Sequence, residues 1–331
     1  MRFLANVVGG VVVILSVSFG VFGLEKASAQ GADKYPSKPI TLIVPYEAGT
    51  GADIMTRSVA DGASKKLGVP IMIVNKPGAV GTIGLNEILA AKPDGYTIGF
   101  HGTLDSNKMQ GIYPKDHHDV AMIGIFNSDP TVVFLNAKKP WKTLKEMLDY
   151  AKQNPEGVRV ATSAKGALYW VSTIALQDAA GVKFNILPQP GAGQFAVTQV
   201  AGGHADIAVV GFQEGKSLVD AGNLRLIGVM GNSRLAGKYS DAPTLKEVGH
   251  NLVYYSYRTI FAPMGTPKLI MDKLQEAFGK VALSQEHKAF SESQSSLAVW
   301  LPGEKAVKAL DERRDMLHPI FQKHGLLKEA K

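Results

Sequence analysis

From Lys38 onward, short apolar runs alternate with stretches of helical periodicity. Ile40 to Val44, Ile71 to Val74 and Tyr96 to Phe100 read as buried strands. Between the first two, Met55, Val59, Ala63 and Leu67 recur every four residues, which is one face of a helix. The pattern resumes with Val158 to Ala161, Phe184 to Leu187, Ile207 to Val210 and Leu224 to Met230, again spaced by helix-length segments. Strand, helix, strand repeated this way predicts an α/β fold with a parallel sheet covered on both faces. Thr143-Leu144-Lys145-Glu146 and Thr244-Leu245-Lys246-Glu247 carry capping boxes, in which Thr and Glu side chains satisfy orphan amides reciprocally. Thr266-Pro267 predicts a cap followed by proline at the first helical position, and Glu304 to Gly325 a long amphipathic helix.

Residues 1–29 stand apart. Arg2 gives a short positive start, Val7 to Leu24 is an apolar run diluted by Gly and Ser, and Ala27-Ser28-Ala29 is a small-x-small site. The segment predicts a secretory signal peptide cleaved before Gln30 and a periplasmic destination. An uncleaved anchor is the alternative, because the run just reaches spanning length. The 331 residues hold no cysteine, which removes disulfide frameworks, thiolate metal sites and cysteine nucleophiles. The formal charge of +7 does not signal nucleic acid, since no Lys/Arg run exceeds two residues and none is interleaved with stacking aromatics.

Glycine placement is the most informative local feature. The first strand runs out through Pro45-Tyr46-Glu47-Ala48-Gly49-Thr50-Gly51-Ala52-Asp53 and the second through Asn75-Lys76-Pro77-Gly78-Ala79-Val80-Gly81-Thr82, each into a helix. A helix start exposes unpaired N–H groups and the positive end of the dipole, and glycine lets an anion approach them. In open α/β sheets ligands sit beyond the carboxyl ends of the strands, so both loops point at one place. Thr162-Ser163-Ala164-Lys165-Gly166-Ala167 and Pro190-Gly191-Ala192-Gly193-Gln194 are a third and a fourth loop of this kind. Any one of them alone is more economically a plain turn; four in one chain point to a ligand cleft. No Walker loop is present, and Gly49-x-Gly51 is followed by Ile54 where a dinucleotide fingerprint needs glycine. Helix N-termini with Thr50, Thr82 and Ser163 and few guanidinium groups suit a carboxylate better than a polyphosphate. Glu47 either points to solvent or recognises an amine or hydroxyl of the ligand.

Enzyme readings find less support. Ser163 and Lys165 are separated by one residue where the serine–lysine motif needs two, and Thr162 has the spacing with the wrong hydroxyl. His117-His118 and His204-x-Asp206 suggest a metal or a base, but adjacent histidines are expected to splay apart and no H-E-x-x-H helix exists. Neither a metal nor a cofactor is expected.

An ordered set of motifs carries a resemblance over essentially the whole chain beyond residue 29. It comprises Tyr35-Pro36-Ser37-Lys38-Pro39-Ile40, Val44-Pro45-Tyr46 with Ala48-Gly49 and Asp53, Val74-Asn75-Lys76-Pro77-Gly78-Ala79, and Pro93-Asp94-Gly95-Tyr96-Thr97. Gly203-His204-Ala205-Asp206, Arg234, Ala242-Pro243-Thr244-Leu245 with Glu247 and Gly249, and Ala262-Pro263 with Gly265-Thr266-Pro267 complete it. In these the chain resembles the periplasmic substrate-binding receptors of tripartite tricarboxylate transporters, the Bug receptors. The resemblance implies a two-domain clamshell of the type II periplasmic binding protein class with a ligand cleft between domains. Its expected parts are residues 30–128 plus 258–331 and residues 129–257, with chain crossings near Asn127 to Thr131 and Tyr254 to Thr259. It implies a small carboxylate ligand delivered to membrane transporter subunits by a monomeric receptor that is not an enzyme.

By matching position, Ala48, Gly49, Thr50 and Gly51 belong to the first ligand loop and Gly78, Ala79, Val80, Gly81 and Thr82 to the second. Ser163, Lys165, Gly166, Ala167, Gly191, Ala192 and Gly193 fall in the other lobe, and Tyr46 and Phe212, with Tyr169 or Trp170, are candidates to shape the apolar part. Asp53 and Asp206 match as well, with capping or turn roles explaining them equally. Thr50, Glu47 and Arg258 depart from the family pattern, which has glycine or uncharged residues there. The competing readings are an extracytoplasmic hydrolase on the same cleft and a ligand sensor for a signalling partner.

Overall fold

Two parallel β-triads are joined through two long antiparallel strands. The computed structural model describes residues 34–190, 193–294 and 296–328, so the expected signal peptide, Gly191 and Ala192 lie outside the described residues. In the first triad, β1 (Ile40–Val44) runs between β2 (Ile71–Asn75) and β3 (Thr97–His101), parallel to both. In the second, β5 (Arg159–Thr162) runs between β6 (Asn185–Pro188) and β7 (Ile207–Gly211), again parallel. These strands match the apolar runs of the sequence to within a residue or two.

The expected parallel sheet holds within the two triads and not for the strands that join them. Strand β4 (Val120–Asn136) is antiparallel to β9 (Tyr255–Pro263) along residues 120–130 and to β7 and β8 (Leu224–Val229) from Thr131 onward. β9 also pairs antiparallel with β3, and β10 (Ala298–Pro302) with β4. The sheet is therefore mixed, with its antiparallel strands in the middle. β4 is buried along nearly its whole length because both of its faces are covered. Val133 and Leu135 enter one core with Leu144, Met147, Val171 and Ile174, while Val132 and Phe134 enter another with Val197, Val210 and Phe212. That alternation is the two-residue period of a strand.

Helix α1 (Gly51–Leu67) follows β1; Thr50 caps its start, and Gly68 closes it in the left-handed region at φ 73°. α2 (Thr82–Ala90) follows β2, and the short α3 (Leu104–Asn107) follows β3. On the other triad lie α4 (Leu144–Gln153), α5 (Leu168–Ala180), α6 (Gly193–Ala201) and α7 (Phe212–Asp220). α8 (Lys268–Ala282) and α9 (Gln285–Ser293) precede α10 (Gly303–Lys323), which places Leu310 in one core with Ile43, Ile125 and Phe261 and sends Leu317 and Phe321 into the core that holds Val133. One helix thus joins the cores of both triads, and each of its fully buried large side chains contributes about 1.5–3 kcal/mol. Among the described residues no helix is long and apolar enough to cross a membrane.

The caps differ in detail from expectation. Glu146 N–H donates to Thr143 Oγ1 at 3.2 Å, but the Glu146 carboxylate accepts from Lys142 N–H instead of the Thr143 amide. The Thr244–Glu247 box is fully reciprocal, yet it starts only a single 3₁₀ turn, Lys246–Val248. Pro267 is the cap of α8 instead of its first residue, and Thr266 turns its hydroxyl to the Pro263 carbonyl at 2.8 Å.

Candidate functional site

The loop after β1 is held by buried polar side chains beneath it. Asp53, 2% exposed, accepts at Oδ2 from Gly49 N–H (2.9 Å) and Arg57 Nε (2.9 Å), and at Oδ1 from Asn75 Nδ2 (2.8 Å). Asn75 Nδ2 also donates to the Tyr46 carbonyl at 3.0 Å. Burial alone would raise the Asp53 carboxyl; the bonds from Arg57, Asn75 and Gly49 outweigh it and hold the group below the usual carboxylate range. Asp53 is thus an anchor of the loop. Thr50 Oγ1 donates to the Glu47 carbonyl at 2.9 Å and accepts from Asp53 N–H at 3.4 Å, so the first turn of α1 opens beside the loop.

The loop after β2 is strained. Gly78, Ala79, Val80 and Gly81 have φ of 119°, 46°, 57° and 85°, and positive φ in a β-branched residue is uncommon. Such residues cost about 1–3 kcal/mol each and cluster at ligand clamps. Consecutive amides in turns of this kind make concavities that receive anions. Close packing explains two glycines: a Cβ on Gly81 would stand 2.8 Å from His101 Nε2, and one on Gly84 would stand 2.9 Å from Pro45 Cβ.

Both loops open on one cavity of about 410 Å³, within the ordinary range for small-molecule sites. Tyr46, Glu47, Thr50 and Ala52 line it from the first loop and Gly78 to Gly81 from the second. Phe100, Gly102 and Thr103 come from the end of β3, Ser163, Ala164, Ala167, Leu168 and Tyr169 from the third loop and α5, Glu214 from α7, and Ser256, Tyr257 and Arg258 from β9. The Tyr46 hydroxyl accepts from Gly102 N–H at 3.4 Å and its ring meets Phe100 edge-on; burial pushes its pKa up to about 12.

Two charged side chains in the wall are almost fully buried. Arg258 is 4% exposed, and burial pulls it down to about 10, so it remains cationic at neutral pH. Its Nη1 forms an ion pair with Asp129, whose Oδ1 accepts from Leu297 N–H at 2.9 Å and from Ser296 Oγ. Glu214 is 8% exposed, and burial pushes it up to about 7 against a single weak hydrogen bond from the Tyr169 hydroxyl at 3.5 Å. Behind the cavity, His101 is wholly buried; its Nδ1 accepts from Thr103 N–H at 3.1 Å, and burial pulls it down to about 4, which keeps the ring neutral.

Of the candidates from the sequence, the cavity brings together Tyr46, Thr50, Gly78, Ala79, Val80, Gly81, Ser163, Ala167 and Tyr169, and not Trp170. Ala48, Gly49, Gly51, Thr82, Lys165, Gly166, Gly193 and Phe212 do not line it. Phe212 stacks on Phe134 at 6.0 Å and meets Tyr239 edge-on at 4.6 Å, a core role. Lys165 is exposed, and the carbonyl of Gly166 accepts from Gln110 Nε2 at 3.0 Å. Gly51 and Gly193 sit instead against the wall residues: a Cβ on Gly193 would stand 3.0 Å from Glu214 Cγ, and one on Gly51 would stand 3.5 Å from Arg258 Nη2. No local signal marks Glu214, which lies in a polar helix with no motif around it. Arg258 stood out in the sequence only as a departure from the family pattern.

Other chemistry-bearing groups already have partners within the protein. Ser163 Oγ accepts from Trp170 N–H at 3.1 Å, and Asp206 holds Arg159 and Lys139. His117 and His118 do not splay apart as expected: both Nε2 atoms face Asp311 Oδ1, at 3.1 and 2.9 Å, with Arg314 on the same oxygen at 2.8 Å. The guanidinium already supplies a cation there.

The sequence model of the family described as "Tripartite tricarboxylate transporter family receptor" matches residues 55–326. A UPF0065 protein of Cupriavidus necator is 32% identical over 272 residues, covering 80% of this chain and 81% of the relative. The crystal structure of a TctC solute-binding protein from Polaromonas superposes with a TM-score of 0.72 at 31% identity, covering 87% of this chain and 99% of that one. MatC from Rhodopseudomonas palustris, solved with bound malate, has a TM-score of 0.74 at 22% identity, covering 86% and 99%. The mixed α/β fold described above is that of the two-domain solute-binding proteins.

Proposed function

We propose that this chain, which belongs to the tripartite tricarboxylate transporter receptor family, captures a small carboxylate-containing solute in the 410 Å³ cavity and delivers it to membrane subunits of such a transporter. The observation that carries the reading is the shared wall: the left-handed turn Gly78–Gly81 and the first turn of α1 face one cavity, so backbone amides and a helix dipole are available to one carboxylate. Malate in a protein of the same fold adds to it. The ligand sites are Tyr46, Thr50, the 78–81 turn, Ser163 and Ala167, joined by Glu214 and Arg258. The lobes are residues 30–128 plus 258–331 and residues 129–257, and closure between them buries the ligand by the difference in its affinity for closed and open forms. Residues 1–29 direct export, cleavage falls before Gln30, and the receptor works in the periplasm without chemical turnover.

The test is a thermal-shift series of the mature chain against mono-, di- and tricarboxylates, amino acids and aromatic acids. A ligand that binds only the native state raises the melting temperature. A stabilising compound recovered unchanged by mass spectrometry is the expected result; conversion of that compound would replace the receptor reading with an enzymatic one.

A further inference from the structure

The two buried charges in the cavity wall have unused hydrogen-bonding capacity in the same place. Among the described residues Arg258 Nε has no hydrogen-bond partner, and the ion pair to Asp129 runs from Nη1. Among the described residues Glu214 has only the long contact to Tyr169. Gly51, at the start of α1, has no side chain, and the position its Cβ would take lies 3.5 Å from Arg258 Nη2 and 3.9 Å from Glu214 Oε1. A donor head and an acceptor head thus flank one point beside the cavity that both line. Buried polar groups are ordinarily satisfied, and a cavity lined by unsatisfied ones is built for a ligand that completes them.

We infer that Arg258 and Glu214 select carboxylates that carry a hydrogen-bond donor beside the carboxylate, the guanidinium taking the carboxylate and Glu214 the adjacent hydroxyl or ammonium. The inference rests on the receptor reading above and adds to it a second polar pole, distinct from the amides of the Gly78–Gly81 turn. Charge favours it over a plain second carboxylate. Asp129 already offsets Arg258, and Glu47 and Glu214 add acidic character to the same wall, so a donor on the ligand relieves what a further bare anion would aggravate.

Titration calorimetry with succinate, malate and aspartate tests this, because the three share two carboxylates and differ in the donor. The wild-type chain is expected to bind malate or aspartate about ten- to hundredfold more tightly than succinate, the range of one hydrogen bond to a charged group. Glu214→Leu is expected to abolish that preference, the affinities for malate and aspartate falling to that for succinate measured on the same variant. Glu214→Gln, which keeps a carbonyl acceptor and loses the charge, is expected to weaken aspartate more than malate, because an ammonium loses an ionic partner and a hydroxyl keeps an acceptor. Succinate binding as tightly as the other two, or a preference that survives Glu214→Leu, overturns the inference and leaves the receptor reading intact. Silence of all three overturns the inference, and binding of other carboxylates in the thermal-shift series then decides the receptor reading separately.

Discussion

Arg313 on α10 grips Asp105 on α3 with two parallel bonds, Nε to Oδ2 and Nη2 to Oδ1, both 2.6 Å, and both residues are buried. The same guanidinium donates to the carbonyls of Gly102 (2.8 Å) and Tyr255 (2.9 Å) and lies over the Tyr257 ring at 4.9 Å. Gly102 and Tyr257 line the cavity, so this pair fixes part of its wall from behind.

Replacing Arg313 with Met leaves Asp105 buried and unpaired. The expected loss is about 3–5 kcal/mol of stability, read from urea unfolding, whereas the double change Arg313→Met with Asp105→Leu is expected to recover much of it. A double variant as unstable as the single one would count against the pair.

Thr50→Tyr places an aromatic ring in the cavity mouth. Binding by calorimetry should vanish while stability falls by only about 1 kcal/mol, the cost of a lost cap. Unchanged binding would move the ligand elsewhere.

Asn75→Ala removes the donor shared by Asp53 and the Tyr46 carbonyl. Stability should fall by about 1–3 kcal/mol, since the buried Asp53 carboxylate and the half-buried Tyr46 carbonyl lose a partner, and affinity should fall with it because the first loop loosens. A variant that melts early yet binds with wild-type affinity would separate this network from the site.

His101 sets a pH dependence. Its native pKa, pulled down by burial to about 4, lies below the 6.5 of an unperturbed imidazole. Between those values the unfolded chain takes up a proton that the native chain refuses, so stability falls as pH drops from about 6.5 to about 4. The full difference amounts to about 3 kcal/mol. In NMR titration the His101 ring should show no protonation above pH 5, and His101→Gln should flatten the stability profile across that window.

Gly84→Ala brings a methyl to 2.9 Å from Pro45 Cβ and 3.1 Å from the Lys76 carbonyl. Overpacking of this kind costs about 1–3 kcal/mol. Because it separates the two ligand loops, affinity should fall more than in a control Gly62→Ala, whose clash is with Val281 on the far side of α1.

The parallel triads were legible because each strand carries a short, mostly apolar run; β1 and β7 are almost wholly buried, whereas the edge strands β2 and β6, the former expected to be buried, are half-exposed. β4 and β9 were not legible. Asn127, Ser128, Asp129 and Pro130 break the apolar pattern of β4, yet Asn127 Nδ2 donates to Ser296 Oγ (2.9 Å) and the Leu297 carbonyl (3.1 Å), and Asp129 is held by Arg258 and Leu297. Those partners are far away in the chain, so no local pattern announces that the polar stretch continues a strand. The same reason divides the site. The turn at Gly78–Gly81 and the cap at Thr50 are local signals, and the sequence displays them. Glu214 and Arg258 become wall residues only when α7 and β9 are brought beside α1. Gly51 and Gly193, selected as amides for an anion, make room for those two side chains as well.

The long central strands also impose an order in time. β3 finds its antiparallel neighbour only when Gly99 pairs with Phe261, and β4 waits for Arg258 to reach Asn127. Everything between β4 and β9, including the whole second triad, must be made before the first triad acquires its inner edge. Closing such a loop is entropically costly and slow compared with forming either triad from neighbouring strands and helices. Until residue 263 has been synthesised, then, β3 presents an unpaired edge and the cavity lacks the wall that β9 supplies.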